Sequence, residues 1–352
     1  MTDKETILIT GAAGFIGGWL VERLCSNSSV NVRAGVRNQS SVGRLTRFPV
    51  ELLSCDVMSK EQIAQAMTGA TMVIHCATGL QDVIIQGTKN MLEAALKLGV
   101  KRFVYLSTTE VYGNVSGEID EQFPYQYTGS EYADSKIEAE KLCWKFYERG
   151  LPLTVIRPSI VYGPFSKDWT FRVARRLQSG NWGIFEGYGE GICNLVYVDD
   201  VVSGILLALR HQDAVGEAFN LNGPEMTTWN QYFQRLNTAL GLPELKMINP
   251  SSSRLRAMII KPIKSVAKFM LNYLENPLQK MGRRVGPIRK LMQFGEKSIT
   301  STAGLAELNS YNRKAVYLSS KAQQVLGYNP KFDVNAGLQP SVDWINHLEP
   351  VN

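Results

Sequence analysis

The chain has 352 residues, 44% hydrophobic and 20% charged, which is enough to bury a sizeable core and more than one ordinary core usually spans, so a large α/β domain with a second lobe is expected. Thirty-eight Lys and Arg against 32 Asp and Glu give a net charge of +6, and with no run of about 18 apolar residues a membrane span is not expected. Five cysteines without CxxC or paired spacing, and a start, "MTDKETILIT", that enters a strand pattern with no basic leader, point to reduced thiols and a cytoplasmic protein.

The first strand pattern is TILIT (6–10), followed at once by "GAAGFIG". Strand, glycines and helix start stand in the order that a dinucleotide site requires, with Gly11, Gly14, Phe15, Ile16 and Gly17 as its residues. Glycines there let the chain turn tightly, let backbone N–H groups approach a pyrophosphate, and let the helix pack close to the sheet. The second strand, VNVRAGV (30–36), leads into Arg37, Ser40 and Ser41, and no Asp or Glu stands between Glu22 and Glu51. An acidic residue there would accept from a ribose 2′-hydroxyl, whereas a guanidinium at Arg37 suits a 2′-phosphate, so NADP is expected ahead of NAD. Arg37 stacked on adenine is the alternative. ELLSCD (51–56) ends on Asp56, beside Val57, placed to meet the adenine amino group or to cap a helix.

"SKEQIAQAM" follows as an amphipathic helix with Ser59 and Gln62 as a capping box. TMVIHCA (71–77) is the fourth strand; its His75 is expected to be packed structurally, and its Ala77 lies at the strand's exit. "GTKNMLEAALKLG" is a helix closed by Gly99, and RFVYLST (102–108) and LTVIRPS (153–159) are further strands. Apolar strands separated by helices indicate a parallel sheet covered on both faces. NLVYV (194–198) and AFNLNG (218–223) read as late strands returning to that sheet; helices are expected from Thr228 to Leu240, in "SSKAQQVLGYNP" and near Val342 to His347.

Between two of these strands lies "SEYADSKIEAEKL", with Tyr132 and Lys136 one helical turn apart. A cation so close favours phenolate, although a solvated helix face has the same spacing. From Ser251 to Ser298, eleven Lys and Arg face Glu275 and Glu296, an excess of nine that leaves the rest of the chain at −3. Pro262, Pro277 and Pro287 cut this basic, apolar-rich stretch into short pieces. It reads as an ordinary solvated lobe, or as a peripheral membrane contact or lid over an apolar substrate. The sheet shows no aromatic interleaving for base stacking, so no nucleic-acid partner is expected. The isolated His211 and His347 belong to no metal-ligand spacing, so no metal is expected.

Taken together, "GAAGFIG", "CDV", "VIHCAT", "GTKNMLEAALKLGVKRFVYLSTTEVYG", "YADSK", "RPSIVYGP" and "YVDDVV" resemble the extended short-chain dehydrogenase/reductase family, also called the NAD-dependent epimerase/dehydratase family. The resemblance covers roughly the first 220 residues. It implies an α/β fold, a Rossmann-type doubly wound parallel sheet with a smaller, mostly helical C-terminal substrate lobe. The division expected is 1–162 with 190–223 for the dinucleotide and 163–189 with 224–352 for the substrate. The resemblance also implies that Tyr132 moves the proton, that Lys136 lowers its pKa and holds the nicotinamide ribose, and that Thr108, with Ser107 as a weaker substitute, hydrogen-bonds the reacting oxygen. A homodimer through the Tyr132 helix is a further implication.

Departures from the family pattern matter. The dehydratases pair an Asp and a Glu before VYG; this chain has Thr109 and Glu110, both placed beside the substrate. Cys193 stands where many nucleotide-sugar enzymes carry an arginine, Ile160 where they carry an asparagine, and Ile84 replaces another asparagine after a short loop. Each lost charge-assisted bond is worth about 1.5–3 kcal/mol, so a less polar pocket is expected. The leading reading is an NADP-dependent oxidoreductase acting on a small-molecule alcohol or carbonyl compound, near the hydroxysteroid dehydrogenases and dihydroflavonol reductases. A nucleotide-sugar epimerase, reductase or dehydratase is the alternative, and a non-catalytic NADP-binding redox sensor the third.

Overall fold

The computed structural model describes residues 4–26, 30–38, 42–248 and 303–348. Ser40, Ser41 and the basic stretch 251–298 lie outside them. Five strands come first: β1 (Thr6–Thr10), β2 (Asn31–Val36), β3 (Glu51–Ser54), β4 (Met72–His75) and β5 (Arg102–Leu106). Then follow β6 (Gly117–Ile119), β7 (Leu153–Pro158), β8 (Ile160–Tyr162), β9 (Ile184–Phe185), β10 (Leu195–Tyr197) and β11 (Ala218–Leu221). Seven of them form one parallel sheet in the order β11-β7-β5-β4-β1-β2-β3. β1, β4, β5 and β7 are inaccessible along almost their whole length, as continuous apolar runs require when helices cover both faces. The order reverses beside β1, and a doubly wound sheet opens its ligand crevice at that switch.

The covering helices are α1 (Phe15–Cys25), α2 (Lys60–Met67), α3 (Gln81–Lys97) and α4 (Glu131–Glu148). In α2 the Ser59 hydroxyl accepts from the Gln62 N–H at 3.3 Å, but the Gln62 side chain turns to the Asp56 N–H at 2.9 Å, so half of the expected capping box is present. α3 ends at Lys97, with Gly99 at φ +68 as the turn out of it. The apolar faces of α2, α3 and α4 meet β4, β5 and β7 in one core through Ile63, Met91, Leu92, Ala139, Cys143 and Phe146.

One expectation fails at the sheet edge. β10 does not return to the main sheet but pairs with β8 in a separate two-stranded ribbon, and only β11 comes back beside β7. Pro158, with no N–H to give, ends β7. The three residues of β8 then take their partner from 195–197.

The chain divides into two compact units, 1–163 with 194–225 and 315–334, and 164–193 with 226–314 and 335–352. Residues 315–334, which the sequence reading placed in the lobe, cluster with the first unit, where Ala315–Tyr317 pairs in parallel with β6. The second unit holds α5 (Arg172–Gln178) and, after α6 (Val198–Arg210) of the first unit, α7 (Trp229–Ala239). α7 starts on a Thr228–Gln231 capping box. Trp182, Phe185, Trp229, Phe233 and Tyr311 pack ring on ring there, Trp229 and Tyr311 at 4.5 Å between centroids. The last helix runs Val334–Leu348, eight residues longer at its start than expected, because Pro340 is accommodated inside it.

Candidate active site

The glycine loop joins β1 to α1. Gly11 has φ +65, and a Cβ on it would stand 2.8 Å from the Ala77 nitrogen, so the loop and the exit of β4 pass too closely for any side chain. At Gly17 a Cβ would meet the Gly11 carbonyl oxygen at 2.3 Å. Gly14 is the N-cap of α1, with no side-chain cap. The first N–H groups of α1, on Phe15, Ile16 and Gly17, are left for an incoming anion, as at nucleotide-binding helix starts. A side-chain-free cradle ahead of an uncapped helix fits a dinucleotide pyrophosphate.

Arg37 follows β2, is exposed, and makes no hydrogen bond or ion pair among the described residues. Asp56 ends the third strand's loop, half-buried, and its Oδ1 accepts from the Met58 N–H at 3.0 Å; the α2 cap is Ser59 instead. Val57 is buried and touches α3 where Gly87 leaves room, since a Cβ at Gly87 would lie 2.5 Å from a Val57 methyl. His75 is 1% exposed, with Nδ1 at 2.6 Å from Thr10 Oγ1 and Nε2 at 3.2 Å from Thr88 Oγ1, tying β1 and β4 to α3. Burial first, and the Lys136 charge second, lower its pKa to about 3.

β5 ends at Leu106, and Ser107, Thr108, Thr109 and Glu110 follow. Thr108 is buried and its hydroxyl accepts from the Glu110 N–H at 3.2 Å, capping the short turn Thr109–Tyr112. Thr109 is buried and Glu110 exposed. α4 begins after its Ser130 cap, so Tyr132 and Lys136 occupy its first and second turns. Lys136 is 3% exposed, donates to the Leu106 carbonyl at 2.7 Å, and lies 6.0 Å from the Tyr132 ring centroid. Burial lowers its pKa to about 8, against the pull of Cys76, Glu140 and Cys143.

The phenol of Tyr132 departs from expectation. Desolvation first and the Glu110 carboxylate second push it up to about 12, while a hydrogen bond with Thr108 acts the other way; the residue keeps 44% of its surface exposed. The causes of the upward shift are burial and Glu110, and the Lys136 ammonium donates to the Leu106 carbonyl. Ser107 is removed as a substitute for Thr108: its hydroxyl donates to the buried Glu140 carboxylate. Glu140 was missed from sequence, although Arg157 inside the apolar run LTVIRPS was a signal, since an arginine in a buried strand needs a buried counter-charge. Among the described residues no cluster of His, Cys, Asp or Glu could hold a metal ion, and no helix is long and apolar enough to cross a membrane.

A doubly wound parallel sheet with a glycine cradle at its switch and a Thr-Tyr-Lys set at the end of β5 defines a nicotinamide-nucleotide enzyme class. The profile of the NAD dependent epimerase/dehydratase family matches residues 7–222, and the chain belongs to that family. It is 28% identical over 386 aligned positions to the 3beta-hydroxysteroid-dehydrogenase/decarboxylase isoform 1 of Arabidopsis thaliana, covering 100% of this chain and 82% of that one. Sterol demethylase protein B of Methylococcus capsulatus is 28% identical over 88% of this chain and 98% of its own. Among solved structures, the UDP-glucuronic acid 4-epimerase of Bacillus cereus in complex with NAD shares the fold, with a TM-score of 0.71, 21% identity, and coverage of 97% and 99%.

Proposed function

We propose that the chain is an NADP-dependent dehydrogenase or reductase acting on a secondary alcohol or its ketone in an apolar, sterol-like small molecule. The observation that carries this reading is the convergence of Thr108, Tyr132 and Lys136 where β5 meets α4. A bound nicotinamide nucleotide would supply the hydride acceptor or donor. Thr108 holds the reacting oxygen by its hydroxyl, and Tyr132 gives or takes the proton at its phenolic oxygen. In this reading the Lys136 ammonium holds a ribose hydroxyl. With its pKa near 12 the Tyr132 phenol is protonated at neutral pH, which suits donation to a carbonyl oxygen in the reductive direction.

The substrate class rests on the two sterol-related relatives, which match along most of their lengths. Polar side chains missing from the nucleotide-sugar positions agree with it: Ile160 lies on β8, and Cys193 is wholly buried with its thiol pushed well up. NADP rests on Arg37 and on the absence of any acidic side chain along β2. The nucleotide in the Bacillus cereus structure is NAD, so the two are to be compared directly.

A second reading, a nucleotide-sugar epimerase or dehydratase, is favoured by the shared fold with the UDP-glucuronic acid 4-epimerase and by Glu110 acting on Tyr132. Absorbance at the nicotinamide band, with 3β-hydroxysterols and NADP+ or 3-ketosterols and NADPH, reads the first, and product analysis of UDP- and dTDP-sugars, whose epimerisation or dehydration leaves the nicotinamide unchanged overall, reads the second. Sterol-dependent NADPH formation from the alcohol, or NADPH consumption with the ketone, is expected. Turnover confined to nucleotide sugars would replace the first reading with the second, and no turnover with any panel member would leave a non-catalytic nucleotide-binding module.

A further inference from the structure

Glu140 stands one turn beyond Lys136 and two beyond Tyr132 on the same face of α4, and is wholly buried. Its carboxylate accepts from the Ser107 hydroxyl, from the Tyr125 hydroxyl at 2.8 Å, and from Arg157 through Nε at 3.1 Å and Nη2 at 2.6 Å. Arg157 places its remaining donors on the Tyr112 hydroxyl at 2.8 Å, the Tyr125 hydroxyl at 3.2 Å and the Glu121 carbonyl at 3.3 Å.

Ser107 is the link to the catalytic set. Its chain neighbours are Leu106, whose carbonyl accepts from Lys136, and Thr108, whose hydroxyl meets Tyr132. Three consecutive residues at the end of β5, Leu106 to Thr108, are thus fastened to three consecutive turns of α4. A buried ion pair is a weak source of stability, because apolar residues of similar volume often do as well. Its position one turn from the lysine supplies another reason for it.

We infer that Glu140 is a positioning residue: through Ser107 it fixes the strand end that carries Thr108 and the Lys136 acceptor, and its charge keeps Lys136 an ammonium. This rests on the function proposed above. The groups that face Lys136 are His75 and Cys76 at β4, Tyr105 of β5 with its ring centroid at 4.8 Å, and Tyr132, Glu140 and Cys143 of α4. Glu140 is itself faced by Arg157, Tyr105, Tyr125 and Cys143. Burial pushes the Cys76 thiol up to about 12, and the Cys143 thiol and the Tyr105 phenol well above their ordinary values. Glu140 is therefore the anion left to hold the Lys136 charge at neutral pH.

The test is calorimetric dissociation constants of NADP+ and NAD+ on the full chain, measured from about pH 6 to about pH 9.5. Wild-type affinity is expected to fall as Lys136 loses its proton. In E140Q the midpoint of that fall moves down by about one pH unit, equivalent to roughly tenfold weaker binding just above it; E140D, which keeps a carboxylate, returns it. Should E140Q fail to fold because Arg157 is left without a counter-charge, E140Q combined with R157M removes both charges and is expected to move the midpoint the same way. A role in packing alone weakens binding equally at every pH and leaves the midpoint where it was, which overturns the inference while the proposed function stands. Wild-type protein that takes up neither nucleotide overturns the proposed function, and the inference with it.

Discussion

The glycine loop at the start of α1 and the Tyr132–Lys136–Glu140 face of α4 are built on opposite principles. The loop works by what it lacks: at Gly11 and Gly17 any Cβ would strike backbone within 3 Å, so recognition falls to N–H groups and a helix end. The α4 face works by what it buries, an ammonium at 3% exposure and a carboxylate at 0%, each held by neighbours on β5 and β7. Mutations of the loop should therefore act on binding and mutation of Tyr132 on chemistry, with Lys136 and Glu140 serving both, and each variant below either sharpens that division or breaks it.

The largest expected effect is on chemistry alone. Tyr132→Phe should keep nucleotide affinity and lower turnover by about 10²–10⁴-fold; unchanged turnover in a steady-state assay would break the division. Gly17→Ala is the opposite case. Its new methyl meets the Gly11 carbonyl, and nucleotide affinity should fall by at least about a hundredfold, near 2.8 kcal/mol, in a fluorescence titration. Arg37→Ser is milder: NADP+ should weaken about tenfold with NAD+ little altered, and equal loss of both would show that Arg37 only stacks on the adenine.

The smallest effect concerns stability. Buried His75 has a pKa near 3 against an ordinary value of 6.5, so the unfolded chain binds the proton first as the pH falls. The stability that its neutral form contributes is present in full above about pH 6.5 and is lost progressively toward pH 3. Between pH 7 and pH 5.5 the wild type should lose about 1.3 kcal/mol through this group. Urea midpoints of His75→Asn should show a correspondingly shallower pH slope; an identical slope would place the histidine in water.

Much of the first unit was legible because its strands are buried on both faces, and continuous runs such as TILIT and RFVYL leave little choice of element. The glycine loop was legible for the same local reason, since its order along the chain is its geometry. β10 was misplaced because a three-residue apolar run does not say which partner it will find. The last helix was expected near Val342, whereas it begins at Val334 and holds Pro340 within it. In the site, Tyr132 and Lys136 were marked by the family resemblance, since their spacing alone also fits a solvated helix face, and the direction of the phenol's shift was not legible, because it depends on burial and on Glu110. Glu140 was not legible, because its partner Arg157, which closes on it at 2.6 Å, stands seventeen residues on in another element.

The most direct measurement is calorimetric titration of the wild type and of Tyr132→Phe with NADPH and NADH at neutral pH. The account predicts one nucleotide per chain in both proteins, with affinities that agree within about twofold. Folded protein that takes up neither nucleotide, or a Tyr132→Phe variant that loses uptake altogether, would contradict it.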